Sequence, residues 1–147
     1  MALVPIQPLL AFSPFDYPVW DLEKPITREE VKAALANPKH IPYTDVRDSW
    51  TRADHAGRIA FFVNRGKGWD DKIDLDVGVP VLSYFREWWP TDGHHRLAAA
   101  IFRGDTHVHV SVSGQIDYAA ELLGVSEDDL KEGEDPEAAW APSAGVR

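Results

Sequence analysis

The stretch DGHHRLAAAIFRGD, residues 92–105, decides how the rest of the chain is interpreted. Gly104 stands where a helix commonly ends, and Gly93 stands where the chain would enter one. Between them, apolar residues recur at the spacing of one helix face: Leu97, Ala98, Ile101 and Phe102. The stretch therefore predicts a turn followed by a helix over about residues 94–103.

Alternating patterns on both sides of this helix predict strands. Ile73, Leu75 and Val77 alternate with two aspartates, and a second alternating run covers residues 107–112. Pro80 ends the first strand or marks a sheet edge. An aromatic-rich segment, residues 81–91, predicts another strand that leads into the turn. Residues 73–112 are thus expected to form a strand, a strand, a helix and a strand.

Helix signals occur on either side of that region. Thr27 and Glu30 have capping-box spacing, and Asn37-Pro38 ends the run that they begin. Residues 40–44 are expected to be extended, residues 45–65 mostly helical up to Gly66, and residues 66–71 a loop. Helices are also expected over residues 115–123, before Gly124, and from Ser126 with Asp129. Together these elements predict a single small domain, of the α+β or the α/β class, with a mixed sheet.

The two ends of the chain differ from this body in composition. Residues 1–26 contain five of the eleven prolines together with many apolar side chains, which predicts an extended or turning arm. The arm is expected to pack on the domain, or alternatively on a second subunit in a homo-oligomer. We therefore divide the chain into an arm (1–26), a domain (27–125) and an acidic tail (126–147).

Composition excludes several classes of function. The chain has 24 acidic residues against 15 lysines and arginines, so generic binding to nucleic-acid phosphates is not expected. The absence of cysteine excludes disulfides, thiol nucleophiles and cysteine zinc sites. No apolar run is long enough for a membrane span, and the apolar start lacks the basic residues of a signal peptide. We expect a cytoplasmic protein without membrane contact.

The segment from Asp92 to Arg96 is the strongest candidate site. A helix start offers backbone N–H groups and a partial positive charge, and Gly93 lets the backbone approach a ligand closely. Arg96 adds a fork of donors that suits phosphate. These residues predict a phosphate or nucleotide site formed by Gly93, His94, His95 and Arg96. The alternative is a tight turn in which Asp92 caps the helix and the histidines are surface groups.

The segment DGHHRLAAAIFRGD also resembles the signature of the ParB/sulfiredoxin superfamily. In that superfamily a strand ends in a Gly-x-x-Arg or Gly-x-His-Arg turn, and a helix of small residues follows. Gly93, His95 and Arg96 match this motif, and residues 52–112 follow the order of elements more weakly. The resemblance implies a ParB/sulfiredoxin-like fold in which the turn and the helix start hold nucleotide phosphates.

This chain also departs from the family. His94 stands where sulfiredoxins have their reactive cysteine and ParB-type domains their glutamate, so sulfinate chemistry is excluded. No helix-turn-helix follows, which leaves DNA partition unsupported. The resemblance then implies a shortened relative that binds nucleotide or phosphate. Members of the superfamily that look like nucleases, ATPases or kinases extend the options to phosphoryl transfer and phosphodiester hydrolysis.

Histidines and carboxylates are further candidates. His107 and His109 share a strand face, and with His94 or His95 they could bind a metal, although we favour solvent-facing histidines and expect no zinc. Asp92 or His95 would be the polar catalyst of an enzyme, with Mg²⁺ expected if a nucleotide binds. Asp74 and Asp76 could serve the same purpose, but a solvated strand face is the favoured interpretation.

Aromatic residues before the motif could stack a base, although core packing is the favoured interpretation: Tyr84, Phe85, Trp88 and Trp89. The segment Arg65-Gly-Lys-Gly68 could meet phosphate but lacks P-loop spacing. Three functions remain open. The first is an enzyme, such as a hydrolase or phosphotransferase. The second is a non-catalytic module that binds nucleotide or protein. The third is an acidic inhibitor or DNA mimic.

Overall fold

The computed structural model describes residues 1–37, 41, 45, 49–66 and 72–132, and it has the expected mixed α+β composition. The helices are α1 (Arg28–Ala36), α2 (Arg52–Arg65), α3 (His94–Arg103), α4 (Ile116–Leu123) and α5 (Glu127–Glu132). The strands are β1 (Ala2–Pro5), β2 (Ile73–Asp76), β3 (Gly78–Val79), β4 (Tyr84–Phe85), β5 (Pro90–Asp92) and β6 (His107–Ser113).

Contacts divide the chain into two compact units that alternate in sequence. The sheet unit takes Met1–Pro8, Lys72–Asp92 and the chain from Thr106 onward, whereas the helical unit takes Leu9–Asp71 and Gly93–Asp105. This division differs from the contiguous arm, domain and tail of the sequence analysis. The first residues of the arm contribute a strand to the sheet, and the motif helix α3 belongs to the helical unit.

The sheet unit is built on four strands in the order β1-β6-β2-β5. The pair β2 and β6 is parallel, and the other two pairs are antiparallel, so the sheet is mixed as expected. Alternation along the strands turns one set of side chains inward, and four of these are fully buried: Val4, Ile73, Leu75 and Val110. Helices α4 and α5 add buried Leu123 and Leu130 to the same unit.

The helical unit packs α1, α2 and α3 around a small apolar core: Ile26, Val31, Ile59, Phe62, Ala98 and Ala99. Thr27 and Glu30 form the predicted capping box of α1. Arg52 joins the first two helices, because its guanidinium donates to the Glu30 carboxylate and to the Pro25 carbonyl at 2.7 Å. Arg103 donates to the Phe62 carbonyl at 2.8 Å and thereby fixes the end of α3 against α2.

Several boundaries differ from the sequence-based expectations. The arm holds β1 and a 3-10 helix, Gln7–Phe12, so it is partly helical where only extended or turning structure was expected. Residues 81–91 are not one strand. Pro80 begins a 3-10 helix, Pro80–Leu82, and the two-residue strand β4 lies between that helix and β5. Helix α2 begins only at Arg52, since Thr51 and Asp54 cap it there.

The remaining elements agree with the sequence. Strands β2 and β6 and helices α3, α4 and α5 lie where the patterns predicted them, and Gly104 and Gly124 end their helices in left-handed conformations. The extended segment expected over residues 40–44 and the loop after Gly66 fall mostly outside the described residues. Among the described helices, none has the length and apolarity needed to cross a membrane.

Candidate functional site

The motif forms a strand, a turn and a helix in direct succession. Strand β5 ends at Asp92, and Gly93 is the N-cap of α3 with a φ of 94°. This left-handed conformation strongly favours glycine, which explains why the turn carries that residue. The helix starts at His94, as predicted, so His94, His95 and Arg96 form its first turn.

The first turn of α3 differs in charge from the first turns of the other helices. Helices α1, α2, α4 and α5 each carry at least one acidic residue there, which balances the partial positive charge of a helix start. The first turn of α3 carries two histidines and an arginine instead. Gly93 has no side chain that could cap the helix. This helix start is therefore the one best suited to an external anion among the described helices.

His95 forms a hydrogen bond to a second histidine that the sequence analysis did not single out. The ring nitrogens His55 Nδ1 and His95 Nε2 are 2.9 Å apart, and the two imidazole planes differ by only 16°. His55 lies on α2 and is only 4% exposed. The two rings form a nearly coplanar pair, called here the imidazole pair.

Two tryptophans cover this pair. The Trp20 indole stacks on both imidazoles, with ring centroids 4.5 Å from His55 and 4.3 Å from His95. Trp50 stacks on His55 at 5.1 Å, and the Arg58 guanidinium lies over the Trp50 ring. Aromatic contacts of this kind exclude water and hold the planes of the imidazoles.

The backbone at Trp20 is strained. Trp20 and Asp21 have φ values of 59° and 61°, a left-handed conformation that is uncommon for bulky residues. Each such residue has a conformational penalty on the order of 1–2 kcal/mol that the surrounding contacts must offset. In this conformation the Trp20 indole stacks on the imidazole pair.

Burial keeps both histidines neutral. Desolvation is the main cause that lowers the pKa of His55, and Arg58 lowers it further while Asp54 opposes the shift. The pKa of His95 falls to about 2, chiefly through burial. His55, Arg58, His94 and Arg96 lower it further, because a positive charge on any of them would oppose a second one on His95. The pair is therefore uncharged at neutral pH, and His95 is a weak base there.

Arg96 packs against the helical core. Its guanidinium carbon lies 5.1 Å from the centre of the Phe62 ring, a cation–π contact, and the residue is half-buried. The sequence predicts Arg96 at an anion site. The contact with Phe62 adds a structural role, so a substitution of Arg96 is expected to change stability as well as any ligand affinity.

The candidate carboxylates lie in the sheet unit. Asp92 is exposed and pairs in register with Asp74 across β5 and β2. Asp74 and Asp76 are half-buried on one strand face, and Asp76 Oδ1 accepts a hydrogen bond from the Gly78 N–H at 2.9 Å. That bond gives Asp76 a local structural role at the start of the hairpin.

His107 and His109 lie on the same face of β6, as the alternation predicted. His107 is exposed, and one of its ring nitrogens is 3.1 Å from the Thr106 hydroxyl. His109 is half-buried and pairs in register with Leu3 of β1. Among the described residues, no three histidines or carboxylates are close enough together to hold a metal ion.

The aromatic segment before the motif corrects one expectation. Tyr84 and Phe85 were expected to pack in the core, but they are 46% and 65% exposed on the hairpin strand β4. Trp88 and Trp89 are half-buried. Of the segment Arg65-Gly-Lys-Gly68, Arg65 ends α2, and residues 67–68 lie outside the described part.

A cavity of about 460 Å³ lies between α1 and α2. Its lining includes small residues such as Ala56, together with Glu30 and Arg52. The side chains of Glu30 and Arg52 form a salt bridge, and this contact lowers the pKa of Glu30. The two charged groups of this cavity thus already satisfy one another, so the cavity is a weaker candidate site than the start of α3.

Three residues that surround His95 were not predicted from the sequence. Trp20, Trp50 and His55 are separated from it by at least 40 residues, and no local pattern marks their contact. Comparison of the chain with protein-family models, with curated proteins and with solved structures gives no match.

Proposed function

We propose that this protein binds a nucleotide or another phosphate-bearing ligand, with its phosphate at the start of α3. The observation that carries the proposal is the first turn of that helix, which has a glycine N-cap and three nitrogen-rich side chains in place of an acidic residue. Helix starts of this composition attract anions through their N–H groups and their partial charge. The resemblance to the ParB/sulfiredoxin superfamily supports the same placement.

We propose binding, not catalysis, because the low pKa of His95 makes this residue unsuited to acid–base catalysis. A general acid or base works best when its pKa is near the working pH. With a pKa of about 2, His95 is neutral near pH 7 and too weakly basic to accept a proton readily. A neutral imidazole still donates one hydrogen bond. Its best-supported role is therefore that of a ligand contact, while phosphoryl transfer or hydrolysis would need another catalyst, with Asp92 the remaining candidate.

The test is a thermal-unfolding screen with adenosine, AMP, ADP, ATP and inorganic phosphate, with Mg²⁺ or with EDTA. A ligand at 100 times its dissociation constant should stabilise the fold by about 2.7 kcal/mol. We expect stabilisation by the phosphate-bearing ligands and none by adenosine. The EDTA arm shows whether Mg²⁺ accompanies the phosphates, and release of inorganic phosphate would reveal catalysis.

Arg96 variants identify the site. A charged hydrogen bond to phosphate contributes roughly 1.5–3 kcal/mol, so Arg96→Ala should weaken binding on the order of tenfold to a hundredfold. Arg96→Lys should restore part of the affinity, because an ammonium lacks the forked contact. Arg28→Ala is the matched control, since Arg28 also lies over an aromatic ring, Phe15, but on α1. A loss of stability with unchanged affinity in Arg96→Ala would contradict the proposal.

A further inference from the structure

Four of the six exposed large apolar side chains of the described residues lie together, at the end of the β3–β4 hairpin. Val81 and Leu82 are 76% and 75% exposed, and Tyr84 and Phe85 of β4 follow them almost directly. Contiguous apolar surface on a protein commonly marks a site of interaction. Residues 81–85 are called here the apolar tip.

Hydrogen bonds and backbone geometry hold the apolar tip in one conformation. The Gln115 backbone N–H donates to the Gly78 carbonyl at 2.9 Å, and the Gln115 side-chain oxygen accepts from the Val81 N–H at 3.0 Å. A Cβ at Gly78 would lie 2.6 Å from the Tyr84 carbonyl oxygen, so only glycine lets the two strands approach this closely. Ser83 turns the chain in a left-handed conformation. A surface that is already ordered loses little conformational entropy when a partner covers it.

The composition around the apolar tip is typical of the centre of a protein–protein interface. Residues 77–85 carry no charge, although the whole chain has 24 acidic residues and 15 lysines and arginines. Interface centres are depleted in charged residues and enriched in tyrosine, phenylalanine, tryptophan and arginine, which are the residue types found here. A lipid surface fits less well, because membrane-binding segments carry several basic residues and residues 77–89 carry only Arg86.

The sequence next to the tip is complementary to itself. Residues 84–89 read YFREWW: two aromatic residues, an arginine, a glutamate and two more aromatic residues. When two copies of such a segment meet in antiparallel orientation about a two-fold axis, aromatic residues face aromatic ones, and Arg86 faces Glu87 of the partner subunit. An uncharged tip is also where two chains of net charge −9 approach with least repulsion. These features favour a second copy of this chain as the partner.

We propose that the apolar tip is the contact surface of a symmetric homodimer, in which residues 81–89 of two copies pack in antiparallel orientation. The exposed fractions of the four apolar side chains correspond to roughly 500 Å² per copy. Two copies then bury about 1,000 Å², the lower end for a specific interface, so the dissociation constant should be on the order of 10–100 μM. The chain bends at Glu87, so side chains and not a continuous pair of strands join the copies. The inference is independent of the proposed phosphate site.

Analytical ultracentrifugation of the full chain tests the dimer. We expect a reversible monomer–dimer equilibrium between about 1 μM and about 500 μM protein. Leu82→Asp and Phe85→Asp bury a charge in the contact and should each weaken association more than about tenfold. Leu3→Asp is the matched control, since Leu3 is 54% exposed on β1 of the same unit, and it should leave association unchanged.

Three results would overturn the dimer. The first is a chain that stays monomeric over the whole concentration range. The second is a dimer that Leu3→Asp disrupts and Phe85→Asp does not, which would assign the contact to the arm. The third is a monomer that cosediments with phosphatidylcholine vesicles and loses this binding in Phe85→Asp, which would assign the apolar tip to a lipid surface.

Charge exchange tests the antiparallel orientation. Arg86→Glu and Glu87→Arg each place like charges opposite one another, so each variant should dimerise about three- to tenfold more weakly than the wild type. An equimolar mixture of the two variants pairs opposite charges again and should form a heterodimer tighter than either homodimer. Circular dichroism verifies that both variants are folded. Single variants that dimerise like the wild type, or a mixture that associates no better than its components, would overturn the antiparallel arrangement.

Discussion

The imidazole pair ties stability to pH at the scale of single residues. Both His55 and His95 have a pKa below 6.5 in the folded protein, whereas in the unfolded chain each titrates near 6.5. Between these limits the unfolded state binds more protons, so the free energy of unfolding decreases as the pH falls below 6.5. The contribution is fully present above that pH and is lost progressively toward the folded value, which is about 2 for His95.

We therefore expect acid to lower the melting temperature before the carboxylates titrate. From pH 7 to pH 5, one histidine held neutral should reduce the free energy of unfolding by about 2 kcal/mol. His95→Gln should flatten this dependence, because glutamine does not titrate. The exposed His107 gives a matched control, and His107→Gln should keep the wild-type slope. Calorimetry at several pH values provides the measurement, and a wild-type melting temperature that is constant from pH 7 to pH 5 would contradict the expectation.

At this scale the sequence predicted the helix start at His94 but not the surroundings of His95. Gly93 and the small residues that follow it form a local signal for a helix start, because a single stretch of the chain contains all of these residues. The contacts of His95 with Trp20 and His55 bring together residues 75 and 40 positions away, and they depend on how the helices pack. No periodicity or spacing in a single sequence encodes such a contact.

Helix boundaries in this protein follow from their caps. At Thr51 the hydroxyl accepts from the Asp54 N–H at 3.1 Å, and the Asp54 carboxylate accepts from the Thr51 N–H at 2.9 Å. Thr27 and Glu30 form the same arrangement and were predicted, because glutamate is the usual third residue of a capping box. Asp54 has a shorter side chain, and this less common residue left the start of α2 misplaced in the sequence analysis.

The cap at Thr51 predicts a measurable stability effect. Thr51→Ala removes the acceptor for the Asp54 N–H and should reduce the free energy of unfolding by about 1 kcal/mol. Thr51→Ser keeps a hydroxyl at the same place and should retain most of the stability. Urea denaturation followed by circular dichroism measures both variants. If serine were as destabilising as alanine, the hydrogen bond would not be the source of the effect.

The architecture of the whole molecule depends on contacts between distant parts of the sequence. Strand β1 pairs with β6, so that Val4 lies opposite Val108. Strand β2 pairs in parallel with β6, and α3 lies between these two strands in the sequence. The alternation in β2 and β6 was sufficient to predict the two strands, whereas the mixed sheet was expected in the manner of the ParB/sulfiredoxin superfamily. The prolines of the arm concealed β1, because proline-rich segments lack a strand pattern even where a few residues pair at a sheet edge.

Two neighbouring residues of β1 test whether this first strand is an integral part of the fold. Val4 is fully buried, whereas Leu3 is 54% exposed on the opposite face of the same strand. Val4→Ala should reduce the free energy of unfolding by about 2 kcal/mol, because complete burial of such a side chain contributes roughly 1.5–3 kcal/mol. Leu3→Ala should change it by less than about 0.5 kcal/mol, as exposed positions usually do. For a chain of this length the first change corresponds to a fall in melting temperature of roughly 4–8 °C. Equal, small effects at both positions would mean that the strand contributes little to stability, and the sheet would then consist in effect of β6, β2 and β5 alone.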